Sequence, residues 1–90
     1  MQRIFLPGTD LQTSRLGFGT GSLHHAFRTR ERQAILGAAL DAGFTHFDTA
    51  RMYGDGLAER ELGRFLKGRR GRATLGTKFG LPAMPLLALL

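Results

Sequence analysis

Ninety residues suffice for one small domain with a modest core, and a hydrophobic content of 42% is that of a globular chain. The absence of cysteine excludes a disulfide framework and a thiolate metal site, and it suits a reducing cytoplasm. A net charge of +6 directs attention to anionic partners, while the apolar stretch Leu81–Leu90 is far shorter than the roughly 20 residues a membrane-spanning helix needs.

The opening residues, MQRIFLPGTD, carry one arginine and no apolar run before Pro7, so no secretory leader is expected. Gln2 to Leu6 and Leu11 to Leu16 read as two short strands joined by the turn Pro7-Gly8-Thr9-Asp10, an initial hairpin. Arg15 to Ser22 is a glycine-rich strand running into a loop, where backbone approaches a ligand or a neighbouring element closely. It is not a dinucleotide fingerprint, because Ser22 stands where the third glycine would be. Gly76-Thr77-Lys78 is likewise no phosphate-binding loop, which needs glycine immediately before lysine and Ser or Thr after it.

Thr29 is placed to cap a helix starting at Arg30, with Glu31 in its first turn. Ile35, Ala38, Ala39 and Ala42 form the expected inner face, and Gly43 the stop. Thr45 to Ala50 reads as a strand, and Ala58, Leu62, Phe65 and Leu66 recur at the spacing of a one-sided helix from about Leu57 to Leu66, closed by Gly68. Arg72 to Phe79 is the third strand after the hairpin. Strands alternating with helices across short loops predict an α/β fold with a parallel sheet covered by helices.

Five of the thirteen basic residues, Arg64, Lys67, Arg69, Arg70 and Arg72, fall together and could contact nucleic-acid phosphates. The one aromatic in the run, Phe65, belongs to the apolar helix stripe, and no nucleic-acid-binding motif accompanies the cluster, so a solvated helix end and turn is the favoured reading.

Strand alternation puts Asp48 and His46 on one face and Phe47 and Thr49 on the other. On the third strand Lys78 shares a face with Gly76 and Thr74. With the aromatic faces turned toward the helices, Asp48 and Lys78 converge at the same end of adjacent strands, and Tyr53 lies in the loop above them. Loops beyond the C-terminal ends of parallel strands are where such folds place their chemistry. A buried lysine beside a buried aspartate stays charged, and the ammonium stabilises the phenolate form of a nearby phenol. Tyr53 is therefore suited to give a proton to a developing alkoxide or to take one from an alcohol. The bland alternative from spacing alone is a satisfied ion pair beside a packing tyrosine.

Phe47-Asp48-Thr49-Ala50, Tyr53-Gly54, Ala58-Glu59, Leu62-Gly63 and Thr77-Lys78, after a Leu16-Gly17-Phe18-Gly19-Thr20 opening, resemble the N-terminal part of the aldo-keto reductase family. The Tyr-Gly-Asp-Gly-Leu-Ala-Glu run is more similar to bacterial sugar-dehydrogenase-like members than to animal aldose reductases. The resemblance implies a (β/α)8 barrel opened by a hairpin, of which this chain supplies the hairpin, three strands and two helices. It implies reversible reduction of aldehydes, ketones or sugars with NADPH or NADH. It further implies Tyr53 as proton donor tuned by Asp48 and Lys78, with Gly19, Thr20, Gly21 and Asp48 near the nicotinamide. The family's fourth catalytic residue, a histidine on the next strand, has no counterpart here. His24 and His25 read as loop residues at the substrate mouth, and His46 as barrel filling; no metal site is expected.

A barrel of this kind takes about 250 residues, so residues 1–90 are expected to be one partial domain ending after the third barrel strand, without turnover by itself. The alternatives are a non-catalytic partial barrel that self-associates through open sheet edges, or a basic nucleic-acid binder acting through Arg64 to Arg72.

Overall fold

The structure, a computed structural model, describes residues 1–78. Strand β1 (Arg3–Phe5) pairs antiparallel with β2 (Gln12–Ser14), Ile4 opposite Thr13. The predicted turn closes this hairpin: Gly8 adopts φ +75°, and the Thr9 N–H and hydroxyl both donate to the Leu6 carbonyl, at 3.1 and 2.8 Å. Glycine takes that left-handed backbone without the Cβ penalty other residues meet.

Three further strands make a parallel sheet in the order β3 (Gly17–Gly19), β4 (His46–Asp48), β5 (Thr74–Gly76). Each parallel step is bridged by a helix, α1 (Thr29–Asp41) and then α2 (Leu57–Leu66). Gly17, His46 and Thr74 stand side by side, as do Phe18, Phe47 and Leu75, then Gly19, Asp48 and Gly76. The middle row faces the helices. Phe47 is fully buried and meets Phe18 and Phe65 edge-on or tilted at 6.0 Å, among Leu23, Leu36, Leu62 and Leu66. Burying an aromatic of this size stabilises the fold by roughly 1.5–3 kcal/mol.

The hairpin is tied across the N-terminal ends of the strands. Ser14 N–H donates to Thr45 Oγ1 at 2.8 Å, Thr45 N–H donates back to Ser14 Oγ at 2.9 Å, and Thr13 and Thr74 share a hydroxyl bond of 2.9 Å. These groups are buried or half-buried, so each bond satisfies a polar atom that would otherwise cost about 1–3 kcal/mol.

The face of α2 is the one its spacing predicts: Ala58, Leu62, Phe65 and Leu66 are buried, and Gly68 at φ +81° ends the turn. That of α1 is not. Its buried residues are Arg32, Leu36 and Ala39, whereas Ile35, Ala38 and Ala42 are exposed. The helix is rotated because Arg32 is drawn inward to Glu61 of α2, Nε to Oε2 at 3.4 Å, with side chains only 10% and 7% exposed. That contact lacks hydrogen-bond geometry at Nε, and the guanidinium donates instead to the Ala26 carbonyl at 2.6 Å and to Thr29 Oγ1 at 3.3 Å. Thr29 is accordingly the first helical residue and not the cap. The cap position is Arg28, with no side-chain capping bond, and the Thr29 hydroxyl reaches Glu61 at 3.4 Å.

Strands β4 and β5 are each shorter than their apolar runs suggest, and Arg70–Arg72 forms a 3-10 turn instead of the start of β5. A second 3-10 turn, Leu23–His25, follows the glycine-rich strand where a loop was expected. Phe79 and the apolar tail 81–90 lie outside the described residues.

Candidate active site

Asp48 ends β4 with its carboxylate on the face opposite Phe47, as alternation demands. Across from it stands Gly76, where an added Cβ would lie 3.4 Å from Asp48 Oδ1, and the Thr49 N–H donates to the Gly76 carbonyl at 2.9 Å. Two residues beyond Gly76, on the same side of the chain, Lys78 extends Nζ to 3.5 Å from both carboxylate oxygens of Asp48. It also donates to the Thr49 carbonyl at 3.2 Å. Thr77, beside Lys78, donates to Glu59 of α2 at 2.9 Å and anchors the segment that carries the lysine.

Tyr53 reaches the same ammonium from the other side. Its hydroxyl is 3.4 Å from Lys78 Nζ, and Nζ lies 5.2 Å from the ring centroid. The tyrosine is aimed by a sharp turn in which Gly54, Asp55 and Gly56 all have positive φ, at +61°, +54° and +92°. Asp55 is the single non-glycine with that backbone among the described residues. An added Cβ on Gly54 would stand 2.9 Å from the His24 Cβ and 3.2 Å from that of Leu57, so the 3-10 turn Leu23–His25 presses directly on this loop. The three predicted residues thus meet around one ammonium.

Their environment differs from the one expected. The Asp48 and Lys78 side chains are 49% and 39% exposed, so neither is buried. They sit at the open C-terminal end of the sheet, with no described element above them. Partial desolvation lowers the proton affinity of Lys78, but the hydrogen bond with Tyr53 and the charge of Asp48 together raise it more. The net result is a lysine held above its ordinary pKa and charged at neutral pH. At 3.4–3.5 Å these contacts lie at the long end of the hydrogen-bond range.

Among the predicted cofactor residues, Gly19 lies beside Asp48 in the sheet, and an added Cβ there would meet nothing within 4 Å. Gly21 lies against the Tyr53 ring, 3.9 Å from an added Cβ. Thr20 is buried and donates both its N–H and its hydroxyl to the Asp48 carbonyl, at 3.0 and 3.1 Å, which fixes the loop on β4. Gly19 and Gly76 flank Asp48 in the sheet without side chains, and the Asp48 carboxylate between them is half-exposed.

His46 lies two residues below Asp48 with Nδ1 2.7 Å from the Thr74 hydroxyl, and the His24 and His25 rings meet edge to face, 4.4 Å between centroids, in the exposed turn. No group of three or more His, Cys, Asp and Glu among the described residues could hold a metal ion. Within the basic run, Arg64 reaches Glu61 at 3.7 Å, while Arg69 donates to the Phe65 carbonyl at 2.7 Å and lies over the Phe65 ring. Sequence reasoning missed Glu59 and Thr77 as supports of Lys78, since nothing in their spacing marks a bond between the start of α2 and the end of β5.

A hairpin closing the N-terminal end of parallel strands, with acid, phenol and ammonium at the other end, defines the opening part of a (β/α)8 barrel. The chain belongs to the aldo/keto reductase family, whose sequence profile matches residues 15–86. It is similar to the D-threo-aldose 1-dehydrogenase of a Pseudomonas species, 44% identical over 69 residues that make up 72% of this chain and 21% of that protein. With the pyridoxal 4-dehydrogenase of Microbacterium luteolum it shares 39% identity over 80% of this chain and 22% of the relative. The structure superposes on the aldo-keto reductase AKR11C1 from Bacillus halodurans in its holo form with a TM-score of 0.80 at 39% identity, covering 89% of this chain and 26% of that one. The chain therefore spans between a fifth and roughly a quarter of the length of these proteins. No helix among the described residues is long and apolar enough to cross a membrane.

Proposed function

We propose that residues 1–90 form the opening part of one NAD(P)H-dependent oxidoreductase domain that interconverts carbonyl compounds, sugars among them, with alcohols, and that they hold its proton-transfer residues. The observation that carries this reading is the ammonium of Lys78 placed between the Tyr53 hydroxyl at 3.4 Å and the Asp48 carboxylate at 3.5 Å. In reduction, Tyr53 passes its hydroxyl proton to the carbonyl oxygen as negative charge develops there, and the Lys78 ammonium stabilises the phenolate left behind. In oxidation the same phenolate takes the proton of the alcohol. Asp48 keeps Lys78 charged through the cycle and orients it. Gly19, Thr20, Gly21 and Asp48 would hold the nicotinamide end of NADPH or NADH, which when bound supplies or accepts the hydride. The sugar and pyridoxal dehydrogenases among the relatives support a small polar carbonyl substrate. The cysteine-free composition and the nicotinamide chemistry suit a cytoplasmic setting.

The test is a chimera in which residues 1–78 replace the corresponding part of the Bacillus halodurans reductase. Aldehyde-dependent NADPH oxidation is expected in the chimera. It should fall by about 10²–10⁴-fold in Tyr53→Phe, the usual worth of a general acid, while cofactor affinity is kept. Undiminished turnover in that variant removes Tyr53 from the reaction.

A second reading, self-association, is supported by the apolar groups left uncovered beside the edge strands, with Ile35 41% and Leu75 40% exposed. A monomer by sedimentation at 100 μM would set it aside.

A further inference from the structure

At the other end of the sheet from Tyr53 and Lys78, a groove of about 620 Å³ runs between the hairpin and the turn that leads into β5. Its position follows from its lining: Thr45 precedes β4, Ala73 precedes β5, and Gln12 belongs to β2. We propose that this groove binds a small molecule bearing a diphosphate group.

The charge of the groove is the first argument. Arg3 of β1 and Arg70 and Arg72 of the 3-10 turn line it, and no aspartate or glutamate does. None of the three forms an ion pair among the described residues, whose salt bridges engage Arg32, Arg64 and Lys78 instead. The basic run is therefore sorted by its surroundings. Arg64 and Arg69 are held by Glu61 and Phe65, whereas Arg70 and Arg72 share a concave surface with an arginine from the far end of the chain. Three guanidinium groups lining one groove repel one another, and an anion relieves that repulsion. One phosphate group carries about −1.5 to −2 near neutrality, so balancing three positive charges takes two. The planar guanidinium fork also matches phosphate oxygens two at a time.

Size and lining are the second argument. The volume lies within the roughly 300–1,000 Å³ typical of small-molecule sites. Leu11, Leu40 and Ala73 give it an apolar floor on which an organic group attached to the diphosphate can rest. Because the groove opens away from Asp48, its occupant does not compete with the carbonyl chemistry, and the proposal stands whether or not that chemistry is correct.

The experiment is titration calorimetry of the 90-residue chain in 0.1 M salt with inorganic pyrophosphate, ADP and adenosine as probes. Saturable 1:1 binding of pyrophosphate or ADP is expected. It should weaken at least tenfold in Arg70→Gln/Arg72→Gln and several-fold in Arg3→Gln. The charge-matched control Arg28→Gln/Arg30→Gln, at exposed positions where α1 begins, should stay within twofold. All five arginines are exposed, so these substitutions leave the core untouched, and circular dichroism checks that each variant keeps its fold. Equal affinity for the first two probes assigns the free diphosphate, and tighter ADP a nucleoside diphosphate. No saturable binding at millimolar probe, equal weakening by the two double variants, or adenosine binding as tightly as ADP would each overturn the proposal.

Discussion

Replacing Glu61 with glutamine keeps the shape of the side chain and removes the charge that draws Arg32 into the interface between α1 and α2. The two side chains are 10% and 7% exposed, so the change leaves a buried guanidinium without its counter-charge. Breaking a buried pair from one side costs about 3–5 kcal/mol. Arg32 keeps its bonds to the Ala26 carbonyl and to Thr29 Oγ1, which places the cost near the lower end. The second partner, Arg64, is 66% exposed and adds less than about 1 kcal/mol after solvent screening. The expected loss is thus about 3–4 kcal/mol, a large part of the stability of a chain this size. Urea unfolding followed by circular dichroism should show a midpoint lowered by about 2 M, taking a slope of 1–2 kcal/mol/M. Arg32→Met/Glu61→Leu removes both charges and should recover most of the loss, because apolar replacement of a buried pair is often neutral or stabilising. A shift below about 0.5 M for Glu61→Gln, or a double variant as unstable as the single one, would refute the reasoning.

Three further outcomes follow from the same structure. Gly54→Ala should destabilise by about 1–3 kcal/mol in the same assay, since its φ is +61° and the new Cβ would sit 2.9 Å from that of His24. Thr49→Val should leave stability unchanged or raise it by about 1 kcal/mol, because the Thr49 hydroxyl is buried without a partner. Lys78 has a raised pKa in the fold, so its contacts stabilise fully below the ordinary lysine value and are lost as pH climbs through the higher folded value. The difference in urea midpoint between the wild type and Lys78→Met should therefore be flat from pH 7 to 9 and shrink only at more alkaline pH.

The particular successes and failures of sequence reading have physical causes. The α2 face was legible because its apolar residues recur at helical spacing and nothing charged interrupts them, Glu61 excepted. The α1 face was legible only at Ala39, because Arg32 and Leu36 compete with Ile35, Ala38 and Ala42 for the rest of the role. The arbiter is an ion pair with a residue about thirty positions away, which no local pattern encodes. The meeting of Asp48 and Lys78 was legible because side-chain alternation and parallel register are both local rules once the strands are recognised. Their exposure was not, since it depends on what covers the end of the sheet. The same holds for the loop that aims Tyr53. Two glycines announce a turn, but the left-handed backbone at Asp55 and the pressure from the His24 turn are tertiary facts.

The most direct test of the account asks whether Asp48, Tyr53 and Lys78 act on a common proton. The chain has a single tyrosine and only two lysines, Lys67 and Lys78. A carbon-13 NMR titration of the lysine ε-carbons, with Lys78 assigned by loss of its signal in Lys78→Met, can therefore follow that ammonium by itself. The account predicts a midpoint above the ordinary lysine value in the wild type, falling toward that value in Tyr53→Phe and again in Asp48→Asn. An ordinary midpoint for Lys78 in all three proteins would show that the residues are neighbours without being a site.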